Sequence, residues 1–370
     1  MKPNSSRISV NHSGFTLVEI MVGLAIGLVL TLVIMQVSTV FEAQKRATTG
    51  TSDAQTNGGI ALYSIGRELR LAGYPILPVT NSPLECTTLK VDGVADNPIP
   101  SLSPVTITEG VAGGGVSASD TITIRYGDST MGGVPTQLTA LPAASGATAA
   151  PAQDVAVTSN LGCKINDKIL ITNGSACAIT TAKAIPGTTT ITFGDADATK
   201  TAVTVTQAVV GANLACLGSW NTITYAVSNG NLQRNGTDSV PGIVNIQAQY
   251  GVSASGLSNT SPDFNKITSW VDASGGTWAT PTVVDRNRIK AIRIAVVARN
   301  SKMEPGVVTT ACSSTTAANP TGLCAWEGTG ANPAPTIDLS QGDANWARYR
   351  YRVFETIIPL RNVIWSKDTL

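Results

Sequence analysis

Residues 14–40 read GFTLVEIMVGLAIGLVLTLVIMQVSTV. From Phe15 to Val40 the 26 residues carry one charge, the carboxylate of Glu19. At ~1.5 Å per residue such a segment makes a helix about 39 Å long, enough to cross a ~30 Å hydrocarbon core with some tilt. A carboxylate inside hydrocarbon costs about 3 kcal/mol on insertion scales, so it is normally retained only where it meets a partner.

The fourteen residues before this segment are polar and hold Lys2 and Arg7. A secretory signal peptide would instead offer an apolar stretch of about 7 to 15 residues ending in a small-x-small cleavage site. No such site follows the apolar run. The positive-inside rule puts the Lys2/Arg7 end in the cytoplasm, while Lys45 and Arg46 on the far side pull the other way. The expected organisation is a cytoplasmic leader over 1–14, a long N-terminal helix over 15–73 with its transmembrane part at 15–40, and a β-rich periplasmic head over 74–370.

All six cysteines, Cys86, Cys163, Cys177, Cys216, Cys312 and Cys324, follow the anchor. An even number beyond a membrane segment fits disulfides in an oxidising compartment, with buried free thiols as the alternative. Close spacing suggests Cys163 with Cys177 and Cys312 with Cys324, which leaves Cys86 for Cys216. No pair has C-x-x-C spacing and the single histidine, His12, lies in the leader, so no metal site is assigned. Without that leader there is no histidine for a Ser-His-Asp triad or a Cys-His pair. The carboxylates are scattered and nothing marks a catalytic pair. The expectation is a non-enzyme without a cofactor. Of 25 lysines and arginines, two leave with the leader, against 24 acidic residues, so no basic field recommends nucleic acid as a partner.

Beyond the membrane, Leu62, Ile65, Leu69 and Ala72 recur at helical spacing, with Arg67, Glu68 and Arg70 off that stripe. Gly73 followed by Pro75 is a stop signal. Thr48 to Gly59, with β-branched residues and three glycines, is the weakest helical stretch, each glycine costing ~1 kcal/mol. Downstream, short strand-like runs stand between Gly, Pro, Asn and Asp: 121–126, 168–172, 188–193, 202–208, 222–227, 243–250, 289–299 and 349–359. Asn229-Gly230 is a hairpin turn signal. Alternation in 288–294 and 349–354 suggests sheets with one wet face. Residues 130–160, 252–282 and 303–343 read as surface excursions. The fold class is α+β, a long helix on antiparallel sheet enlarged by loops and extra strands.

The segment GFTLVEIMVGLAIG resembles the class III signal of type IV pilins and pseudopilins. That resemblance implies cleavage by a prepilin peptidase between Gly14 and Phe15, methylation of the new Phe15 amino terminus, and Glu19 as fifth residue of the mature chain. NGGIALYSIGRELRLAGY, GCKINDKILITN, ITYAVSNGNLQRNG, IVNIQAQYGV, RIKAIRIAVVARN and YRYRVFETIIPLRNVIW, in this order, resemble PilW-type minor pilins. The resemblance implies a pilin-like fold and a place in the minor-pilin complex that primes and caps a type IV pilus. The implied partners are other minor pilins, the major pilin, the prepilin peptidase and the inner-membrane assembly platform. Unlike many major pilins, the chain has no helix-breaking proline about twenty residues into the mature helix.

In this frame Glu19 would neutralise the ammonium group of a neighbouring subunit's Phe15; the alternative is a local capping box, Thr16-x-x-Glu19. Gly23, Ala25 and Gly27 suit close helix packing or are merely tolerated. Arg348, Arg350 and Arg352 lie at period two, a basic stripe or a solvated face. The tryptophans serve packing or exposed contacts. Two other identities share the anchor. A type II secretion pseudopilin of the J-like class shares helix and sheet as well, whereas a single-pass periplasmic adhesin or receptor leaves Gly14-Phe15 and Glu19 unexplained.

Overall fold

The computed structural model describes residues 14–76, 88–91, 94–96, 102–110, 119–131, 133–140, 153–172, 176–194, 210–258 and 260–365. Residues through Ser52 form one unit and Asp53–Leu370 a second, compact one. The helix α1 runs Leu17–Leu71. Its apolar part, Leu17–Glu42, is exposed throughout, as a membrane span requires. Thr31 and Thr39 donate to the carbonyls of Leu28 and Gln36 at 2.8 Å, so these hydroxyls need no water. The stretch from Thr48 to Gly59 stays helical, and Thr48 and Thr49 bond back to Gln44 and Lys45. The helix stops where expected. Gly73 takes φ +79°, a conformation glycine adopts without strain, and its N–H donates to the Arg125 carbonyl.

Seventeen strands follow among the described residues. In chain order they are β1 (Thr88–Val91), β2 (Val94–Asp96), β3 (Val105–Thr108), β4 (Thr121–Tyr126), β5 (Thr136–Ala140), β6 (Gln153–Val157), β7 (Lys168–Thr172), β8 (Ala176–Ala184) and β9 (Thr190–Gly194). Then come β10 (Asn213–Gly218), β11 (Asn221–Ser228), β12 (Asn231–Arg234), β13 (Thr237–Pro241), β14 (Ile243–Ser253), β15 (Ile267–Val271), β16 (Ile289–Met303) and β17 (Tyr349–Pro359). The strand expected at 202–208 lies outside the described residues.

An antiparallel sheet of order β13-β12-β11-β4-β3 and another of order β15-β14-β16-β17 share one core with the second half of α1. Ala54, Ala61, Ile65, Leu69 and Ala72 form the buried helix stripe. It packs in one cluster with Ile107, Ile122 and Ile124 of the first sheet and Ile246, Ile292 and Ile294 of the second. Each fully buried Ile or Leu contributes roughly 2 kcal/mol, so this face fixes the helix on the sheets. Asn229 and Gly230, at φ +52° and +74°, form the turn joining β11 to β12, with Ser228 opposite Asn231. At the far end Asn362, in the short helix α4 (Arg361–Trp365), donates to the Ala72 carbonyl at 3.0 Å and caps α1.

The remaining eight strands were not anticipated as a unit. Six close into a barrel, β7-β8-β9-β6-β5-β10 and back to β7, every pairing antiparallel. β1 joins β8 in parallel and β2 flanks β1. Period-two alternation gives the barrel an interior of Leu138, Val155, Val157, Ile169, Ile171, Ala178, Ile191 and Leu214. Its outer face presents Leu170, Ile179, Ala215 and Leu217 to Ile76 and Leu102. Residues 130–160 are therefore not a plain surface excursion; they supply β5 and β6. The barrel lies in the connection between β4 and β11, which pair directly through Tyr126 and Asn221. Entry and exit adjoin, since the N–H groups of Asp128 and Ser129 both donate to the Leu217 carbonyl at 3.0 Å.

The expected wet face of β16 is covered. Residues 303–343, without a regular strand of their own, lie over it, and Leu323, Ala325, Trp326, Ile337 and Leu339 pack on Ala295 and Val297. The polar members of the alternation are accommodated against aromatic rings. The Arg293 guanidinium stacks on Trp326 at 4.2 Å, and Lys290, fully buried, lies over Phe264 at 4.1 Å.

Candidate functional site

Gly14, Phe15 and Thr16 precede α1 in non-helical, exposed backbone. The helix start is closed by a capping box. The Thr16 N–H and hydroxyl donate to Glu19 Oε2 at 2.9 and 3.0 Å, and the Glu19 N–H donates to Thr16 Oγ1 at 3.3 Å. Glu19 Oε1 has no hydrogen-bond partner among the described residues. The local reading of Thr16-x-x-Glu19 is thus realised within a single chain. Half of the carboxylate remains open to a second donor.

Gly23, Ala25 and Gly27 sit on the exposed span, and nothing approaches a Cβ built at either glycine within 4 Å. Both are free to receive another helix.

Two buried carboxylates that sequence reasoning missed hold the helix and sheets together. Glu68, assigned to the wet side of α1, is 1 % exposed. Its Oε2 accepts from the Tyr126 hydroxyl, and its Oε1 from Arg67 and Arg234 at 3.1 and 3.2 Å. Burial pushes the Glu68 pKa up, but the hydrogen bonds from Tyr126, Arg67 and Arg234 outweigh it and hold the group below the usual carboxylate range. Burial, with the same contact, pushes the Tyr126 phenol up to about 12. Asp120 joins the two sheets by accepting from the N–H groups of Gly110 and Ala248 at 3.0 and 2.7 Å. Burial and the neighbouring Glu109 raise it to about 7. Glu109 itself rises to about 7 through burial and repulsion from Asp272.

The disulfide Cys312–Cys324 forms as expected. The pairing of Cys163 with Cys177 does not; Cys163 bonds Cys216. Strand alternation explains the difference. Cys163 and Cys216 belong to the barrel interior beside Ala178, whereas Cys177 points outward with Leu170 and Ile179. The Cys86–Cys216 pairing falls with it. Cys177 is also disulfide-bonded, and Cys86 lies outside the described residues.

The arginines at period two do not form one stripe. Arg350 pairs with Glu304 at 3.0 Å, Arg348 donates to the Glu304 carbonyl, and Arg352 is exposed. Trp326 is buried, and Trp220, Trp270, Trp278 and Trp346 are half-buried, so packing is their main use.

The model of the prokaryotic N-terminal methylation motif matches residues 10–35, and that of type IV pilus-assembly protein W matches residues 217–362. No curated protein and no solved structure gives a match. Over these two stretches the chain is similar to PilW-type pilins. The second match begins at the end of β10 and ends at the start of α4, so it covers the β14–β17 sheet and the excursion over it but not most of the barrel. Both matches support a minor pilin of the type IV pilus, and the chain has one helix long and apolar enough to cross a membrane. Its signal implies processing by a prepilin peptidase and association with other pilus components.

Proposed function

We propose that this chain is a PilW-type minor pilin and belongs to the complex that primes and caps the type IV pilus, after prepilin peptidase cuts between Gly14 and Phe15. In this reading 1–14 is a cytoplasmic leader, 15–40 the inner-membrane and assembly segment, and the β-rich remainder a periplasmic head. Its partners are the other minor pilins, the major pilin and the inner-membrane assembly platform. Three sheets on one anchor suit a position that is filled once rather than repeated along a shaft.

The observation that carries the proposal is the open Oε1 of Glu19 in an exposed apolar helix. Cleavage creates an ammonium group on Phe15, and at low dielectric a neighbour's carboxylate attracts it many times more strongly than in water. Oε2 keeps the helix cap and Oε1 takes the neighbour, so capping and pairing coexist on one side chain.

Glu19→Ala tests the assembly role. Insertion, cleavage and disulfide formation should continue, while co-purification of other minor pilins should fall by about a hundredfold, the effect of leaving a buried charge unpaired by a few kcal/mol. Thr16→Val, which removes the cap hydroxyl and keeps the carboxylate, should retain assembly. Normal piliation and complex recovery with Glu19→Ala at native expression would refute the intersubunit pairing. An intact mass beginning at N-methylated Phe15 checks the processing site, and retention of Met1 in cells with an active prepilin peptidase would refute it.

A further inference from the structure

A recess of about 310 Å³ opens where three parts of the chain meet. It is lined by Asn229 of the β11–β12 turn, by Arg299 of β16, and by Leu339, Asp343, Trp346 and Tyr351. Arg299 Nη1 pairs with Asp343 Oδ2 at 3.3 Å, and both side chains remain 30 % exposed. The guanidinium also stacks over Tyr349 at 4.6 Å, which fixes its plane. The side-chain amide of Asn229 and the indole N–H of Trp346 have no hydrogen-bond partner among the described residues.

The charges select the class of ligand. An anion would gain Arg299 but face Asp343, and a cation would meet the reverse. Adjacent hydroxyl groups satisfy both, accepting from the guanidinium and donating to the carboxylate. Asn229 offers a further donor and acceptor, while Leu339 and the Trp346 indole present apolar surface to a C–H face. The volume lies at the lower end of small-molecule sites, roughly 300 to 1,000 Å³, which limits the occupant to about one ring.

We propose that this recess is a saccharide-binding site that takes one neutral sugar ring between Asn229, the Arg299–Asp343 pair and Trp346. The proposal does not depend on where in a pilus the protein sits, and its test does not use piliation.

Full-length protein is purified in a detergent without a sugar headgroup and tested against free neutral monosaccharides and a glycan array, with saturation-transfer NMR as the readout. The expected result is saturable binding of at least one neutral sugar. Response to the free monosaccharide and to the glycan ending in it separates a free from a linked source. Asp343→Asn keeps the loop bond to the Asn345 N–H and loses the charge, and should weaken binding about tenfold, the size of one charged hydrogen bond. Asn229→Gly, which tolerates the positive φ, should weaken it several-fold, and Glu355→Gln on exposed β17 should leave it unchanged. Absence of saturable binding to any neutral saccharide, selective binding of peptides instead, or sugar binding unaffected by both recess variants would overturn the assignment.

Discussion

The ring of Phe354 fills the space that a side chain at Gly58 would occupy. A Cβ at Gly58 would overlap Cε2 and Cδ2 of that ring. Glycine inside a helix costs ~1 kcal/mol against alanine, and here the close approach of β17 to α1 returns more than that in packing. Gly58→Ala should therefore destabilise despite its better helix propensity, by about 1–2 kcal/mol once overpacking is set against propensity. Thermal unfolding of the full chain in detergent should show a lower Tm, and adding Phe354→Leu should restore part of it.

Glu68→Gln should lower stability by about 2 kcal/mol, the scale of losing charged hydrogen bonds at a buried acceptor with half-exposed arginines. The effect depends on pH. The folded pKa of Glu68 lies below its unfolded value, so its contribution is present above the unfolded value and fades as pH falls through the folded one. Wild type and variant should converge in Tm as pH is lowered toward that range.

Glu109 and Asp120 act in the opposite direction. Their folded pKa values near 7 exceed the usual carboxylate values, so the folded state holds protons that the unfolded state releases between about pH 4 and 7. These groups therefore make the head less stable as pH rises through that window. The charged and titratable groups around them are Asp272, Tyr250 and Arg125. Glu109→Gln should raise Tm at pH 8 more than at pH 5; an equal shift at both would contradict the assignment.

Removing the Cys312–Cys324 link by a double serine substitution should cost about 3 kcal/mol for a loop of this length. The loss should be local. Limited proteolysis is expected to cut within 303–343 first, and Trp326 fluorescence to shift to the red, before β14 to β17 separate.

Local physics explains which parts of this fold were legible in advance. The apolar run with Glu19, the Gly73 stop and the Asn229-Gly230 turn rest on neighbours in sequence, and the structure places them as read. The strands β4, β7 and β17 coincide with the runs at 121–126, 168–172 and 349–359. What escaped depends on distant partners. Glu68 looks solvated until Tyr126 and Arg234, 58 and 166 residues away, converge on it. The alternation in β16 implies a wet face until residues 303–343 cover it. Cysteine spacing favoured the near neighbour Cys177, but strand facing, which spacing does not encode, chose Cys216. At the candidate sites Glu19 was legible, whereas the Arg299–Asp343 recess joins segments that no motif connects.

The neighbouring ends of the barrel, at Asp128, Ser129 and Leu217, make it a cassette. Because β4 and β11 already pair beside this junction, a short turn replacing the barrel would leave an ordinary hairpin, and the Cys163–Cys216 link would leave with the excised piece. The helix and the two sheets that pack on it would lose the attachment of β1 to β8, the disulfide of Cys177 and the contacts of Ile76 and Leu102. Chain can thus be gained, lost or exchanged between β4 and β11 with little disturbance to the membrane anchor or the Glu19 carboxylate, because insertions are best tolerated where entry and exit adjoin at a surface. The protein can diversify there while the apolar helix remains under separate constraint.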